Sequence, residues 1–246
     1  MNLWEVWFSV VKTLREACKR KRTFFWMIVF LIGASIRCGD LTGVTSVVRV
    51  VGLLPGYYSC LLDFLHSSSL NITLLAQLWT QWVLQNFFEK VTINKRIVLL
   101  TDGIKVSKEG KKMPGVKMLH QASQSNTKAE FIMGHSCQAI GLLVKALGSF
   151  FCVPLTCQIH EGVVFSNRDK RTLYDKLLLM LNNLGIHIPY YLVADAYYSV
   201  AKMVNGIRKN GNHLVTRAKK KYCCLCSSYE GQREQKRKTK KIWQKN

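Results

Sequence analysis

Two aspartates are distinguished by what precedes them. In Arg96–Val106, RIVLLTDGIKV, the run Ile97, Val98, Leu99 and Leu100 leads into Asp102 and a glycine. In Pro189–Ser199, PYYLVADAYYS, apolar and aromatic residues lead into Asp195. Short apolar runs bounded by such residues read as buried strands. If the two strands are neighbours, both carboxylates come to one edge of a sheet, where open α/β sheets bind ligands. Two bare carboxylates about 4 Å apart repel by roughly 4 kcal/mol at an effective dielectric near 20, so they must protonate, separate or share a cation. Oxygen ligands select a hard ion, Mg²⁺ or Mn²⁺, and the chemistry that follows is phosphoryl transfer at a two-metal site. The plain alternative is that Asp102 and Asp195 only open turns.

The rest of the chain narrows the partner. Its 246 residues are 48% hydrophobic, enough for a packed core rather than a disordered chain. Thirty-six Lys and Arg face 14 Asp and Glu, a net charge of +22, which points to a polyanion and to nucleic acid before a membrane surface. From Ile207 to the C-terminus the only acids are Glu230 and Glu234, set among many basic residues. Lys105, Lys108, Lys111, Lys112 and Lys117 crowd around Gly110 and Gly115 just after Asp102. A glycine-interrupted basic loop suits a phosphate backbone, and its bland counterpart is a lysine-protected hairpin edge.

Nine scattered cysteines and an N-terminus that does not read as a signal peptide lead to the expectation of a reduced, cytoplasmic setting. Cys223, Cys224 and Cys226 contain one CxxC, but no second ligand pair for zinc is recognisable. There is no P-loop, GxGxxG or HExxH.

The elements that must position the aspartates can be read in order. Residues 1–22 have apolar spacing on one helical face and end in the basic cluster Lys19–Arg22. Phe24–Ile36 is the longest apolar run, but a membrane span needs about 20 residues, so a buried helix is expected instead. From Asp40 several short helices follow, broken at Gly52, Pro55, Gly56 and Ser67–Ser69; they either include a helix-turn-helix or cap the next domain. Residues 130–151 and 151–165 are strand-like. Lys170–Leu184 is an amphipathic helix ended by Gly185, Val200–Lys209 is a second helix, and His213–Ala218 is a strand. The expected fold class is α/β, a mixed sheet preceded by an all-α region.

The segments LLTDGIKVSKEGKKMPGVKMLHQASQSNTKAEFIMGH and YLVADAYYSVAKMVNGIRKNGNHLVTRAKK resemble bacterial insertion-sequence transposases of the DDE superfamily. The similarity runs from about Asp40 through Lys220. The resemblance implies a ribonuclease H-like core over residues 93–221, a helical N-terminal region over 1–92 as a candidate DNA-binding part, and a disordered basic tail over 222–246. Asp102 and Asp195 would be the first two catalytic acids and would hold Mg²⁺ or Mn²⁺ during strand cleavage and joining. Lys105, Lys108, Lys111, Lys112, Arg217, Lys219 and Lys220 would line the DNA path. Partners would be transposon ends and target DNA, with homo-oligomers, no stable membrane insertion, and a cytoplasmic, nucleoid-associated location.

The chain departs from the family at its end. Family members continue to a helix carrying a third acid, a glutamate. Here Glu230 is a weak candidate, because the residues around it show no apolar face to dock against a sheet. A C-terminally truncated catalytic core is therefore expected. The competing readings are an inactive DNA-binding protein of the same fold and a membrane-associated protein anchored by Phe24–Ile36.

Overall fold

The computed structural model describes residues 2–36, 43–86, 89–108, 115–120, 131–160 and 171–217. Among the described residues five α-helices come first: α1 (Leu3–Leu14), α2 (Lys21–Ile36), α3 (Val44–Val51), α4 (Tyr57–Leu65) and α5 (Ile72–Asn86). Asn2 and Glu5 form a reciprocal capping box that satisfies the first backbone donors of α1. α2 buries Trp26, Met27 and Gly33. At Gly33 a Cβ would collide with the Val47 side chain, so glycine is what lets α3 approach. Among the described residues no helix is long and apolar enough to cross a membrane. Trp26, Met27, Val47, Leu61 and Phe64 belong to one helical core.

The other described residues form a mixed seven-stranded sheet with two further α-helices, so the chain is α/β with a helical N-terminal region. Strands β1 (Thr92–Ile93), β2 (Arg96–Ser107), β3 (Lys117–His120), β4 (Phe131–Ala146) and β5 (Ser149–His160) are followed by α6 (Leu173–Asn183), β6 (Tyr190–Val193), α7 (Ala201–Arg208) and β7 (His213–Val215). β4 pairs antiparallel with β2 on one side, and with β3 and then β5 along the other. β6 runs parallel to β2, and β7 runs parallel to β6. Asn94 and Lys95 turn β1 into β2 with φ of 50° and 61°, the positive values a two-residue hairpin requires. Leu147 and Gly148 do the same between β4 and β5.

Side chains alternate across a strand, so one face of the sheet presents Ile97, Leu99, Ile140, Leu142, Tyr190 and Leu192. That face forms a second core with Leu177 and Met180 of α6, Met203 and Ile207 of α7, and Trp82 and Val83 of α5. Val10 and Trp79 pack against both cores, joining the helical region to the sheet.

Candidate acidic site and basic rim

Both aspartates stand where apolar strand burial gives out. β2 is buried from Ile97 through Leu99 and again at Thr101, then exposed from Asp102 to Ser107. The strand therefore runs on past the carboxylate rather than ending at it. β6 is shorter than the apolar pattern suggested and stops at Val193. Asp195 lies beyond it, where its Oδ1 accepts from the Tyr197 N–H at 2.8 Å and caps the one-turn 3-10 helix Ala196–Tyr198. An aspartate can cap its own turn in this way, which is why the strand yields before reaching it.

The register fixes the relation between the two acids. Leu100 pairs with Val193, so Asp102 and Asp195 each lie two residues past a matched pair on adjacent parallel strands, both exposed. Val193 pairs with Val215 in the same way, and Arg217 lies two residues beyond. An acid, an acid and a base thus stand two residues beyond the last matched pairs of three successive parallel strands, the first of them still within β2. The Thr216 hydroxyl donates to the Asp195 carbonyl at 2.6 Å, and the Ala194 N–H donates to the Val215 carbonyl, fastening the last two strand ends together.

Each carboxylate uses one oxygen locally. Asp102 Oδ1 accepts from the Gly103 N–H at 2.7 Å, and Asp195 Oδ1 accepts from Tyr197. The second oxygen of each has no protein partner among the described residues. Two exposed carboxylates, each with one oxygen without a protein partner among the described residues, are hard donors of the type Mg²⁺ or Mn²⁺ takes, with water completing the shell, so the donor set fits such an ion. Among the described residues no group of three or more His, Cys, Asp or Glu comes together.

The turn that holds Asp195 is itself held. Tyr174 of α6 stacks on Tyr197 with ring centroids 5.2 Å apart and meets Tyr198 edge-on at 6.3 Å. Its hydroxyl donates to the Tyr197 carbonyl at 3.2 Å. Thr172 and Asp175 cap α6 reciprocally, and Asp175 pairs with Lys202 of α7 at 2.6 Å. Hydrogen bonds from Lys202 and then Thr172 draw the Asp175 carboxyl down to about 2.

The basic residues are spread along the ribbon that β2, β3 and β4 form beyond the acids. Lys105 Nζ donates to the His120 carbonyl across to β3, so part of its donor capacity ties the ribbon. Lys108 is exposed at the far end, with its backbone N–H on the Met133 carbonyl. Lys117 on β3 lies near Lys176 of α6; burial pushes its ammonium pKa below the usual lysine value and the Lys176 cation lowers it further. Lys176 is a basic-rim residue that sequence spacing did not single out, because it sits in an amphipathic helix far along the chain from the lysine-rich loop. Lys111, Lys112, Lys219, Lys220 and Glu230 lie outside the described residues.

No protein-family model matches the chain, and no curated protein matches it.

Proposed function

We propose that this protein is a divalent-metal-dependent DNA strand-cleaving and strand-joining protein, a DDE-type transposase on a ribonuclease H-like sheet. The observation that supports the reading is that Asp102 and Asp195 each lie two residues beyond the Leu100–Val193 pair, the last matched pair of the parallel strands β2 and β6. The strand order supports it: an antiparallel series β5, β4, β2, then β6 and β7 parallel to β2, with helices α6 and α7 between the last strands. Asp102 and Asp195 would hold the metal through the oxygens that have no protein partner among the described residues. A bound Mg²⁺ or Mn²⁺ supplies charge stabilisation at a phosphodiester and activation of an attacking oxygen. Lys105, Lys108, Lys117, Lys176 and Arg217 would bind the phosphate backbone, in keeping with the net charge of +22.

The test is nicking of supercoiled DNA with Mn²⁺ or Mg²⁺. Metal-dependent nicking that Asp102→Asn reduces by about a hundredfold or more, with DNA retention on a gel unchanged, supports the reading. Retention without any metal-dependent nick would leave a DNA-binding protein of the same fold. Neither retention nor nicking would overturn both.

A further inference from the structure

Gln138 is the one long polar side chain on the buried face of β4, where its same-face neighbours Ile140 and Leu142 are fully buried hydrocarbons. It is 2% exposed. Its Nε2 donates to the Tyr198 hydroxyl at 2.9 Å, and its buried Oε1 has no protein partner among the described residues. Burying an acceptor without a partner costs stability, and methionine would fill nearly the same volume with no such penalty. Packing therefore gives no reason for glutamine at this position.

Its place in the sheet does. Gln138 is the register partner of Gly103, the residue next to Asp102. Tyr198, 3% exposed, is the last residue of the turn that Asp195 caps. The hydrogen bond thus links the strand alongside one carboxylate to the turn built on the other, between segments far apart in sequence.

We propose that Gln138 and Tyr198 are positioning residues: their buried hydrogen bond fixes the separation of Asp102 and Asp195 and so sets the affinity of the acid pair for a divalent cation. The inference rests on the acid-pair reading above. The Tyr198 hydroxyl also lies within electrostatic reach of both carboxylates: burial raises its pKa most, Gln138 lowers it, and Asp195 and Asp102 each raise it further.

The double variant Gln138→Met, Tyr198→Phe removes both polar groups with little change of shape, a replacement that is close to neutral for stability. Mn²⁺ binding to the full chain, followed by the electron paramagnetic resonance signal of free Mn²⁺, is measured beside the melting temperature. The expected result is a dissociation constant raised about tenfold, the effect typical of residues that orient metal ligands, with an unchanged or higher melting temperature. A wild-type dissociation constant in the double variant overturns the clamp and leaves the acid pair standing. If the wild type shows no Mn²⁺ binding that Asp102→Asn removes, the acid-pair reading fails and the clamp with it. If the double variant does not fold, Tyr198→Phe alone, which keeps the ring, decides by the same criterion.

Discussion

The paired strands β2 and β6 are fastened differently at their two ends. Near Arg96, polar groups are satisfied by distant parts of the chain. Asn212 Oδ1 accepts from the buried Tyr190 N–H at 2.9 Å, the Arg96 guanidinium donates to the Gly211 carbonyl at 2.8 Å, and the Asn210 amide donates to Asn182 Oδ1 at 3.1 Å. Near Asp102, among the described residues, each carboxylate accepts only from a backbone N–H one or two residues further along its own segment, Gly103 for Asp102 and Tyr197 for Asp195. The first arrangement joins elements and stabilises the fold. The second holds each carboxylate by one oxygen and leaves the other without a protein partner among the described residues.

The comparison breaks most visibly at Asn212. Asn212→Leu leaves the buried Tyr190 N–H without an acceptor and is expected to cost about 1–3 kcal/mol in denaturant unfolding. The same variant leaves Mn²⁺ affinity unchanged; a loss of affinity as large as that of Asp102→Asn would erase the distinction between the two ends.

A smaller effect is expected on the basic rim. Lys117→Gln should reduce the slope of log affinity for DNA against log salt by about one, the signature of one lost phosphate contact. An unchanged slope would take Lys117 off the DNA path.

The smallest effect concerns Asp175, which stiffens the helix beside the Asp195 turn. Its folded pKa of about 2 lies below the ordinary 3.8, so its stabilising contribution is complete above that value and is lost as pH falls toward 2. Asp175→Asn should flatten the decline of melting temperature over that acid interval and leave its course near neutrality parallel to that of the wild type. A decline as steep as the wild type's would mean that the Lys202 pair does not titrate with folding.

Periodicity carried much of the architecture. The helical faces of α1, α6 and α7 and the apolar runs of β2, β4 and β5 are visible in the residues, because burial on one or both sides imposes its own spacing. What escaped is non-local or very short. The strand Thr92–Ile93 is two residues long, and its turn uses Asn94 and Lys95 where a glycine would have announced a hairpin. Asp195 reads as the end of a strand because nothing in YLVADAYY shows that its side chain will cap a turn. Gln138 sits in FIMGHSCQAIGLLV without any local mark of the tyrosine it meets 60 residues later. For the candidate site, the aspartates are legible in type and context, whereas their common register depends on which strands become neighbours.

The continuation of β2 past Asp102 carries the sheet on beyond the level of the acid. From Asp102 to Ser107 the strand stays paired with β4 and rises about 17 Å at the usual strand spacing. This projection begins at Asp102 itself and is exposed along its whole length. On the DNA-cleaving reading proposed above, a stiff polymer reaching Asp102 would lie against this projection, which would restrict the angle at which a phosphate is presented.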